Sequence, residues 1–352
     1  MKSKSKTLMK RLGIMFGSLV MFGLLAGCGD KSGSNTTAND GGAAPVSKPS
    51  GDGGAKKRIA VIPKGSTHEF WKSIHAGAEE AGKELGVEII WKGPMKEDDR
   101  ESQVKVVEDF TTSKVDGIVL APLDETALTI PVSNAVKSGI PVLIIDSDLK
   151  GGDTVSFVAT DNFKGGQMAG EEMVRLLGGK GKVIMLRYQV GSASTQFRED
   201  GFLDVMKKNP GIQVVSENQH AGATTEQAQA ASENLLAGFK KDGALAVDGI
   251  YCPNESSTFG MLLCLQDMGA AGKVKFVGFD SSTKLIDGLN SGQINALVIQ
   301  NPHNMGYLGV KTLVASLKGE KVEKRIDTGA VLVTKENMTK PDVSKLLAPP
   351  KE

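Results

Sequence analysis

The sequence has few of the residues from which metal centres, disulfide frameworks and aromatic-rich cores are built. Its 352 residues include 3 cysteines and 4 histidines, and only 5% are aromatic. Three cysteines cannot support a disulfide-dense scaffold, and His68-Glu69 lacks the second histidine of a helical zinc motif. We therefore expect no metal site. An excess of one charge is also missing, with 42 Lys and Arg against 41 Asp and Glu. This balance argues against a strongly basic nucleic-acid-binding protein.

The apolar fraction and the length indicate a folded protein of one large domain or two average ones. Residues of the hydrophobic class make up 40% of the chain, which is enough to bury a core and excludes disorder over the whole length. The charge is also unevenly distributed, because residues 1–27 contain five basic and no acidic residues. Removing those five leaves 37 basic against 41 acidic residues, a net charge of −4. A mildly acidic body does not favour DNA as a partner.

The first 27 residues have the three parts of a secretory signal peptide. Five basic residues lie within 2–11, an uncharged apolar run occupies 12–25, and two small residues precede Cys28. The apolar run is shorter than the ~20 residues that a membrane span needs. Leu25-Ala26-Gly27-Cys28 resembles the bacterial lipobox, which predicts cleavage before Cys28 and a lipid on its thiol. An ordinary signal peptide with a chance cysteine is the alternative.

Residues 28–55 are predicted to be a flexible tether. Small and polar residues dominate this segment, and Val46 is its one large apolar side chain. Such a segment cannot bury enough surface to offset the entropy lost on ordering. A lipid on Cys28, a tether and a folded body together predict a protein anchored to a bacterial membrane that works on its extracytoplasmic side.

From residue 56 the sequence alternates short apolar runs with amphipathic stretches. Predicted strands cover 58–62, 87–91, 117–121, 141–145, 155–159, 182–186, 212–216, 249–252, 273–279 and 294–299. Predicted helices cover 70–85, 100–113, 125–138, 163–177, 195–208, 225–239, 257–268 and 283–289. Strands that are apolar on both faces and separated by helices indicate a parallel sheet covered on both sides. Because this number of strands is too large for one twisted open sheet, we predict an α/β fold with two lobes.

Polar and aromatic residues follow the predicted strands, where open α/β sheets bind their ligands. They include carboxylates, amides, guanidinium groups and two adjacent aromatic rings, at 63–71, 146–148, 187–189, 195, 198, 254–255, 280 and 300. Planar polar groups can bridge neighbouring sugar hydroxyls, and aromatic rings suit the apolar face of a sugar ring. Singly, each residue has a structural alternative. Phe70 and Trp71 could be core residues, Asp146 and Asp280 helix N-caps, and Arg198 part of a surface ion pair.

Several motifs along the body resemble one family. They are Phe70-Trp71 with Gly77, residues 140–146, Ala159-Thr160-Asp161-Asn162 with Gly165-Gly166 and Ala169-Gly170, residues 198–202, Asn254, Val277-Gly278-Phe279-Asp280, and Gln300. From about Lys56 to Lys345 the chain resembles the type I periplasmic sugar-binding proteins, the ribose/galactose-binding group of ABC-transporter receptors. By position, the family's ligand-binding residues correspond to His68, Phe70, Trp71, Asp146, Arg198, Asn254, Asp280 and Gln300.

The resemblance implies two doubly wound parallel-sheet lobes joined by three hinge crossings, which is the periplasmic-binding-protein-like I fold. The N-terminal lobe would hold 56–160 with 301–329, and the C-terminal lobe 161–300 with 330–346. Hinges near 160/161, 300/301 and 329/330 would let the lobes close over a monosaccharide or related polyol. The partners implied are that ligand and an ABC-transporter permease, with no cofactor and a monomeric protein.

This chain departs from the family pattern at three places. His68 stands where many relatives have Asn, and Ser147 where ribose binders have Arg after the aspartate. The loop 219–224 lacks the aromatic residue that the family often has near Ala223. These departures weaken the case for ribose itself and indicate a pocket that is larger or differently polarised. Lys64, just after the first strand, is a further candidate hydroxyl donor.

Three alternative functions have less support in the sequence. A sugar-responsive repressor would need an N-terminal helix-turn-helix, where this chain has a signal and a tether. A glycosidase could use Asp146 and Asp280 as its carboxylate pair, but the sequence has no nucleophile elbow, Walker A or dinucleotide motif, so we expect no enzyme. A sugar sensor that presents its ligand to a membrane receptor remains open. We expect Cys252 and Cys264 to be buried thiols that do not pair.

Overall fold

The computed structural model describes residues 55–348. The predicted signal peptide, Cys28 and nearly all of the predicted tether therefore lie outside the described residues. Within the described range, the strands are β1 Arg58–Ile62, β2 Glu88–Trp91, β3 Gly117–Leu120, β4 Val142–Ile145, β5 Phe157–Ala159, β6 Gly181–Met185, β7 Ile212–Ser216, β8 Lys240–Lys241, β9 Ala244–Leu245, β10 Gly249–Tyr251, β11 Lys275–Phe279, β12 Ala296–Gln300, β13 Arg325–Asp327 and β14 Ala330–Thr334. The helices are α1 Glu69–Leu85, α2 Arg100–Thr112, α3 Thr129–Lys137, α4 Asn162–Leu177, α5 Ala193–Lys208, α6 Thr225–Ala237, α7 Glu255–Asp267, α8 Thr283–Asn290, α9 Pro302–Leu317 and α10 Pro341–Leu347.

The strands form two six-stranded sheets and one small hairpin. The first sheet has the order β13-β5-β4-β3-β1-β2 and the second β14-β12-β11-β10-β6-β7, while β8 and β9 pair with each other. Every pairing in the first sheet is parallel. Helices pack on both sheets, which defines a first lobe around the first sheet and a second lobe around the second. The predicted α/β fold with two doubly wound sheets is confirmed.

The second sheet differs from a purely parallel one at its β14 edge. β14 pairs antiparallel with β12, and its first residue, Ala330, lies opposite Gln300, the last residue of β12. The chain thus enters β14 at the end where β12 leaves the sheet and must run back along it. Only Thr328 and Gly329 separate β14 from β13 of the first sheet, and a connection this short has no room for the helical crossover of a parallel unit.

The strands bury side chains on both faces, as their apolar sequences predict. In β1, Ile59 and Val61 belong to one buried cluster, and Ala60 and Ile62 to another on the opposite face. The second sheet likewise lies between two buried clusters. Because both faces of each sheet are covered, polar side chains can reach a shared site only at the strand ends.

One predicted helix begins later than the sequence pattern indicated. Residues 125–138 were expected to be helical, but α3 starts at Thr129. The Asp124 carboxylate accepts hydrogen bonds from the backbone N–H groups of Thr126 and Ala127, at 2.9 Å each. This turn competes with helix formation, as is typical of aspartate.

Helices α4 and α5 approach each other closely through two glycines. A Cβ on Gly166 would collide with the backbone oxygen of Arg198, and one on Gly201 with that of Phe163. The absence of these Cβ atoms lets the helix backbones come into contact. As a result, Asn162 at the start of α4 lies beside Arg198, which faces the cleft from α5.

Two further features bear on the sequence-based expectations. Cys252 and Cys264 are both buried free thiols, as expected. Within residues 55–348, no helix is long and apolar enough to cross a membrane.

Candidate functional site

The carboxyl ends of the two sheets face each other across a narrow cavity with a free volume of about 30 Å³. This volume has room for about two water molecules, so a larger ligand needs the two walls to move apart. All eight residues predicted to bind ligand line it: His68, Phe70, Trp71, Asp146, Arg198, Asn254, Asp280 and Gln300. Six further residues complete the lining: Lys64, Glu97, Tyr188, Ser194, Thr195 and Glu255.

Asp146 and Asp280 occupy equivalent positions in the two lobes. Each follows the third strand from the edge at which the sheets connect, β4 in the first sheet and β11 in the second. Both have positive φ angles, 62° and 71°, a backbone conformation uncommon for residues other than glycine and often found at functional sites. Neither is an N-cap, because Asp161 caps α4 and Ser282 precedes α8. The helix-cap alternative for these aspartates is therefore wrong.

The second lobe contributes a buried guanidinium with one free nitrogen. Arg198 donates through Nε to Asn162 Oδ1 at 2.8 Å and through Nη1 to the Pro253 carbonyl at 3.0 Å. Its guanidinium lies 4.0 Å from the centre of the Phe279 ring. Nη2 is buried and has no partner among the described residues. Arg198 is thus held rigidly, with one donor uncommitted, and the surface ion-pair alternative is wrong.

Asp280 and Gln300 form the adjoining part of this wall. Gln300 Nε2 donates to Asp280 Oδ1 at 2.7 Å, and the Glu255 N–H donates to Asp280 Oδ2 at 2.9 Å. Gln300 Oε1 is buried without a partner among the described residues. Burial raises the pKa of Asp280, although Arg198 and the Gln300 hydrogen bond oppose that shift. An uncommitted acceptor therefore complements the uncommitted donor of Arg198.

Asn254 is partly committed to its own helix. It is the N-cap of α7, and its Oδ1 accepts from the Ser257 N–H at 3.3 Å in a capping box. Its Nδ2 donates to Ser256 Oγ at 3.1 Å. One amide hydrogen remains available to the cavity.

The first lobe contributes a buried ion pair. Lys64 Nζ lies 2.9 Å from Asp146 Oδ2, and both side chains are almost fully buried. The same ammonium donates to Ser194 Oγ at 3.0 Å and reaches Ser192 Oγ at 3.4 Å. Because both serines belong to the second lobe, Lys64 bridges the cleft. Its three protons are shared among these groups, so its role as a free hydroxyl donor is weaker than the sequence suggested.

Glu97 is the centre of a second buried network in the first lobe. Its Oε1 lies 2.8 Å from His68 Nδ1 and accepts from Trp71 Nε1 at 2.7 Å. Burial alone would lower the pKa of His68, but the charge and hydrogen bond of Glu97 outweigh it and raise that pKa to about 9. Burial would raise the pKa of Glu97, but His68 and Lys64 bring it down to about 2. The pair is therefore ionised at neutral pH.

Two aromatic rings complete the first wall. Phe70 and Trp71 pack edge to face with their centroids 5.0 Å apart. Trp71 is 2% exposed and belongs to the apolar cluster between α1 and the first sheet. It therefore serves both the core and the cavity, which joins the two roles that the sequence left as alternatives.

Glu255 faces this wall from the second lobe. Its Oε2 accepts from the Phe70 N–H at 3.4 Å. Burial, opposed by the charge of His68 and assisted by that of Asp280, raises the pKa of Glu255 to about 7. The cavity thus combines three cationic and four acidic side chains, and the acids of the second lobe have raised pKa values. Such a near-neutral, highly polar lining suits a neutral ligand with many hydroxyl groups. Among residues 55–348, no group of three or more His, Cys, Asp and Glu could hold a metal ion.

Comparison with known families identifies this architecture. Residues 59–321 match the model of the periplasmic binding protein domain. The chain belongs to this family of periplasmic binding proteins.

Similar periplasmic binding proteins are found among both curated sequences and solved structures. The D-allose-binding periplasmic protein of Escherichia coli K12 is 30% identical over 276 residues, covering 76% of this chain and 87% of that protein. The ribose import binding protein RbsB of Bacillus subtilis is 28% identical, covering 82% and 90%. A carbohydrate transporter solute-binding protein from Agrobacterium radiobacter, solved with D-arabinose, is 35% identical, with a TM-score of 0.79 and coverage of 84% and 100%. A solute-binding protein from Agrobacterium vitis, solved with D-fucose, is 36% identical, with a TM-score of 0.78 and coverage of 83% and 100%.

Sequence reasoning missed Glu97 in this periplasmic binding protein. Tyr188, Thr195 and Glu255 are among the polar strand-end residues and Lys64 is a candidate, but neither Ser194 nor Glu97 is predicted from the sequence. Glu97 follows β2 by six residues, within the loop after Trp91. The loops after the carboxyl ends of strands carry the ligand-binding residues of such sheets. Glu97 lies in one of these loops, but further from the strand than the first few residues.

Proposed function

We propose that the protein binds a monosaccharide or related polyol in the cavity between its lobes. The observation that carries this proposal is the pair of buried, unpartnered atoms, Arg198 Nη2 and Gln300 Oε1. A buried donor or acceptor without a partner costs about 1–3 kcal/mol. A hydroxyl group donates and accepts at once, so a sugar in this cavity would satisfy both atoms. The eight residues predicted from the sequence are the proposed ligand-binding set.

The aromatic residues and the relatives support the same ligand class. Phe70 and Trp71 line the cavity beside the polar groups, and an aromatic ring provides the apolar contact that the C–H face of a sugar needs. The relatives described above are named for D-allose and ribose, or were solved with D-arabinose and D-fucose. They are binding and transport proteins, and we propose binding without chemical change here also.

We propose that closure of the two lobes accompanies binding. The proposed lobes are 56–160 with 301–329 and 161–300 with 330–346. Two of the three crossings lie side by side, since Thr160 Oγ1 donates to the Gly329 carbonyl at 3.3 Å and the Asp161 N–H donates to Asp327 Oδ1 at 3.1 Å. Ligand that touches both walls binds the closed state better and so increases its population.

Delivery of the sugar to an ABC-transporter permease completes the proposal. We further propose that the protein is a monomer on the extracytoplasmic side, held by a lipid on Cys28 and released from its signal peptide there. The Leu25-Ala26-Gly27-Cys28 order supports this anchor. Cys28→Ser should yield a protein that is soluble or keeps its signal peptide. A variant that is still cleaved, acylated and membrane-bound would contradict the anchor.

The binding proposal can be tested with the purified protein and a panel of monosaccharides that includes D-allose, D-ribose, D-arabinose and D-fucose. A ligand that binds only the folded state raises the melting temperature, by an amount that grows with its concentration. Calorimetry should then give one site per chain, and the sugar should be recovered chemically unchanged. Conversion of the sugar would indicate an enzyme, and no thermal shift with any sugar would contradict the proposed function.

A further inference from the structure

Glu97 makes hydrogen bonds to both lobes, and none of them needs a ligand. Within the first lobe, its Oε1 binds His68 and Trp71. From the second lobe, Tyr188 donates its hydroxyl to Glu97 Oε2 at 2.8 Å, and Gln189 Nε2 donates to the Glu97 carbonyl at 2.7 Å. One residue thus connects the wall of the cavity with the closure of the cleft.

These contacts lie on the side of the cleft away from the crossings between lobes. Glu97 follows β2, the outer strand of the first sheet, and Tyr188 follows β6, next to the outer strand of the second. The crossings leave from β5, β12 and β13 at the opposite edges of the sheets. When the lobes rotate about those crossings, the segments at Glu97 and Tyr188 separate furthest. A contact at this position must therefore break when the cleft opens.

Two neighbouring bonds support the same junction. Arg100 Nη2 donates to the Val190 carbonyl at 2.7 Å, and the Glu125 N–H donates to the Gly191 carbonyl at 2.9 Å. In both bonds the acceptor is a backbone carbonyl oxygen of the segment that carries Tyr188. The junction is therefore a row of contacts in which Glu97 supplies the buried charge.

We propose that Glu97 is a positioning residue that fixes His68 and Trp71 in the cavity wall and clasps Tyr188 of the opposite lobe, so that it controls how fast the closed cleft releases its ligand. The inference rests on the proposed function and extends it. The two carboxylate oxygens of Glu97 already accept from three protein donors, which leaves about one of their four acceptor positions for a ligand. Its effect passes through the groups that it orients.

The electrostatic surroundings explain why this clasp depends on the charge of Glu97. A buried carboxylate oxygen that loses its donor is left desolvated, whereas in the open cleft water can replace the donor. Removal of the Tyr188 hydroxyl therefore penalises the closed state selectively. The charged and titratable groups that face the Glu97–His68 pair come from both lobes: Lys64, Tyr188, Glu226, Glu255 and Asp280.

Tyr188→Phe tests the clasp, with Tyr251→Phe as the matched control. Tyr251 is also fully buried in the second lobe, but its hydroxyl has no partner among the described residues. Stopped-flow release of the best-binding sugar of the panel should be about tenfold faster in Tyr188→Phe, with little change in the association rate. Tyr251→Phe should release it at nearly the wild-type rate. Equal release rates in wild type and Tyr188→Phe would overturn the clasp.

Small-angle scattering of the sugar-free protein separates this inference from the proposed function. Tyr188→Phe should shift the sugar-free population towards open forms relative to wild type and Tyr251→Phe. This result would support the clasp even if no sugar of the panel bound. An unchanged distribution would overturn the clasp while leaving sugar binding intact.

Glu97→Gln tests the positioning role through a property that a purely structural residue would not change. An amide keeps the shape but removes the charge that holds the proton on His68. The pKa of His68 is about 9 in the wild type, and its imidazole signals in NMR should titrate at lower pH in Glu97→Gln. Sugar affinity should fall at least tenfold. A His68 titration and an affinity that match wild type would contradict the assignment.

Discussion

The two walls of the cavity use similar residue types in opposite ways. On the first wall, Lys64 and Asp146 neutralise each other, and Glu97 takes up the hydrogen-bonding groups of His68 and Trp71. On the second wall, Arg198 and Gln300 each keep one buried polar atom without a partner among the described residues. The first wall is thus largely satisfied by the protein itself, and the second is not.

This difference suggests a division of labour between the lobes. A satisfied network fixes shape and charge before the ligand arrives, because its groups cannot reorient without losing hydrogen bonds. Unsatisfied groups gain most from a ligand that supplies their missing partners. Substitutions in the first wall should therefore reduce folding stability as well as sugar affinity, whereas those in the second should mainly reduce sugar affinity.

The largest expected effect is on stability, from Trp71→Ala in the first wall. Trp71 is 2% exposed and packs in the apolar cluster between α1 and the first sheet. Its truncation should lower the free energy of unfolding by about 3–5 kcal/mol through the cavity left behind. Denaturant titration measures this loss. Trp91→Ala is the control, since Trp91 is only half-buried and stacks on His75; an equal or larger loss there would contradict the argument.

Arg198→Ala in the second wall should instead weaken sugar binding. The loss should be about 2–4 kcal/mol, because hydrogen bonds from a charged donor in a dry cleft are strong ones. Calorimetric titration measures it, with Arg325→Ala, a change at an exposed arginine, as the control. Asp280→Ala should have an effect of the same size. Wild-type affinity in both folded variants would remove these residues from the site and end the contrast between the walls.

The ionised pair in the first wall predicts a dependence of stability on pH. The pKa of His68 is about 9 in the folded protein against an ordinary value of 6.5. A raised pKa in a base stabilises the fold fully below 6.5, and this contribution is lost as the pH rises through 9. Unfolding free energies measured between pH 7.5 and 9.5, above the pKa of about 7 of Glu255, should fall by about 2 kcal/mol. In His68→Gln most of that fall should disappear; a fall of the same size in the variant would assign it to other groups.

The sequence could predict much of the fold because its signals were local. The apolar runs of β1 and β4 and the amphipathic stretches between strands predicted the order of most elements up to residue 299. The late start of α3 depends on the Asp124 turn, which competes with the helical pattern. The direction of β14 depends on where the chain leaves the first sheet. Neither feature follows from periodicity alone.

The candidate site shows the same limit. The strand-end rule and the family resemblance brought together eight residues that do line one cavity. The sequence could not show which of their atoms are already paired, because Lys64 meets Ser194, and Glu97 meets Tyr188, across long separations in the chain. The contrast between a satisfied and an unsatisfied wall is therefore a property of the folded protein.

The smallest expected effect concerns one contact between the walls. Ser147 Oγ accepts from the Ser194 N–H at 3.1 Å, so a buried hydroxyl of the first lobe partners the backbone of the second. Ser147→Ala should weaken sugar affinity by about 0.5–1.5 kcal/mol, the usual net contribution of one hydrogen bond. The loss should arise from the closed state, because in an open cleft water can satisfy both groups. Ser156→Ala is the matched control, since the Ser156 hydroxyl is buried in the first lobe without a partner among residues 55–348. Its removal should leave affinity unchanged within error. If the two variants bind sugar equally well, the Ser147 contact does not contribute to closure. The contacts of Lys64 and Glu97 with the second lobe would then hold the walls together.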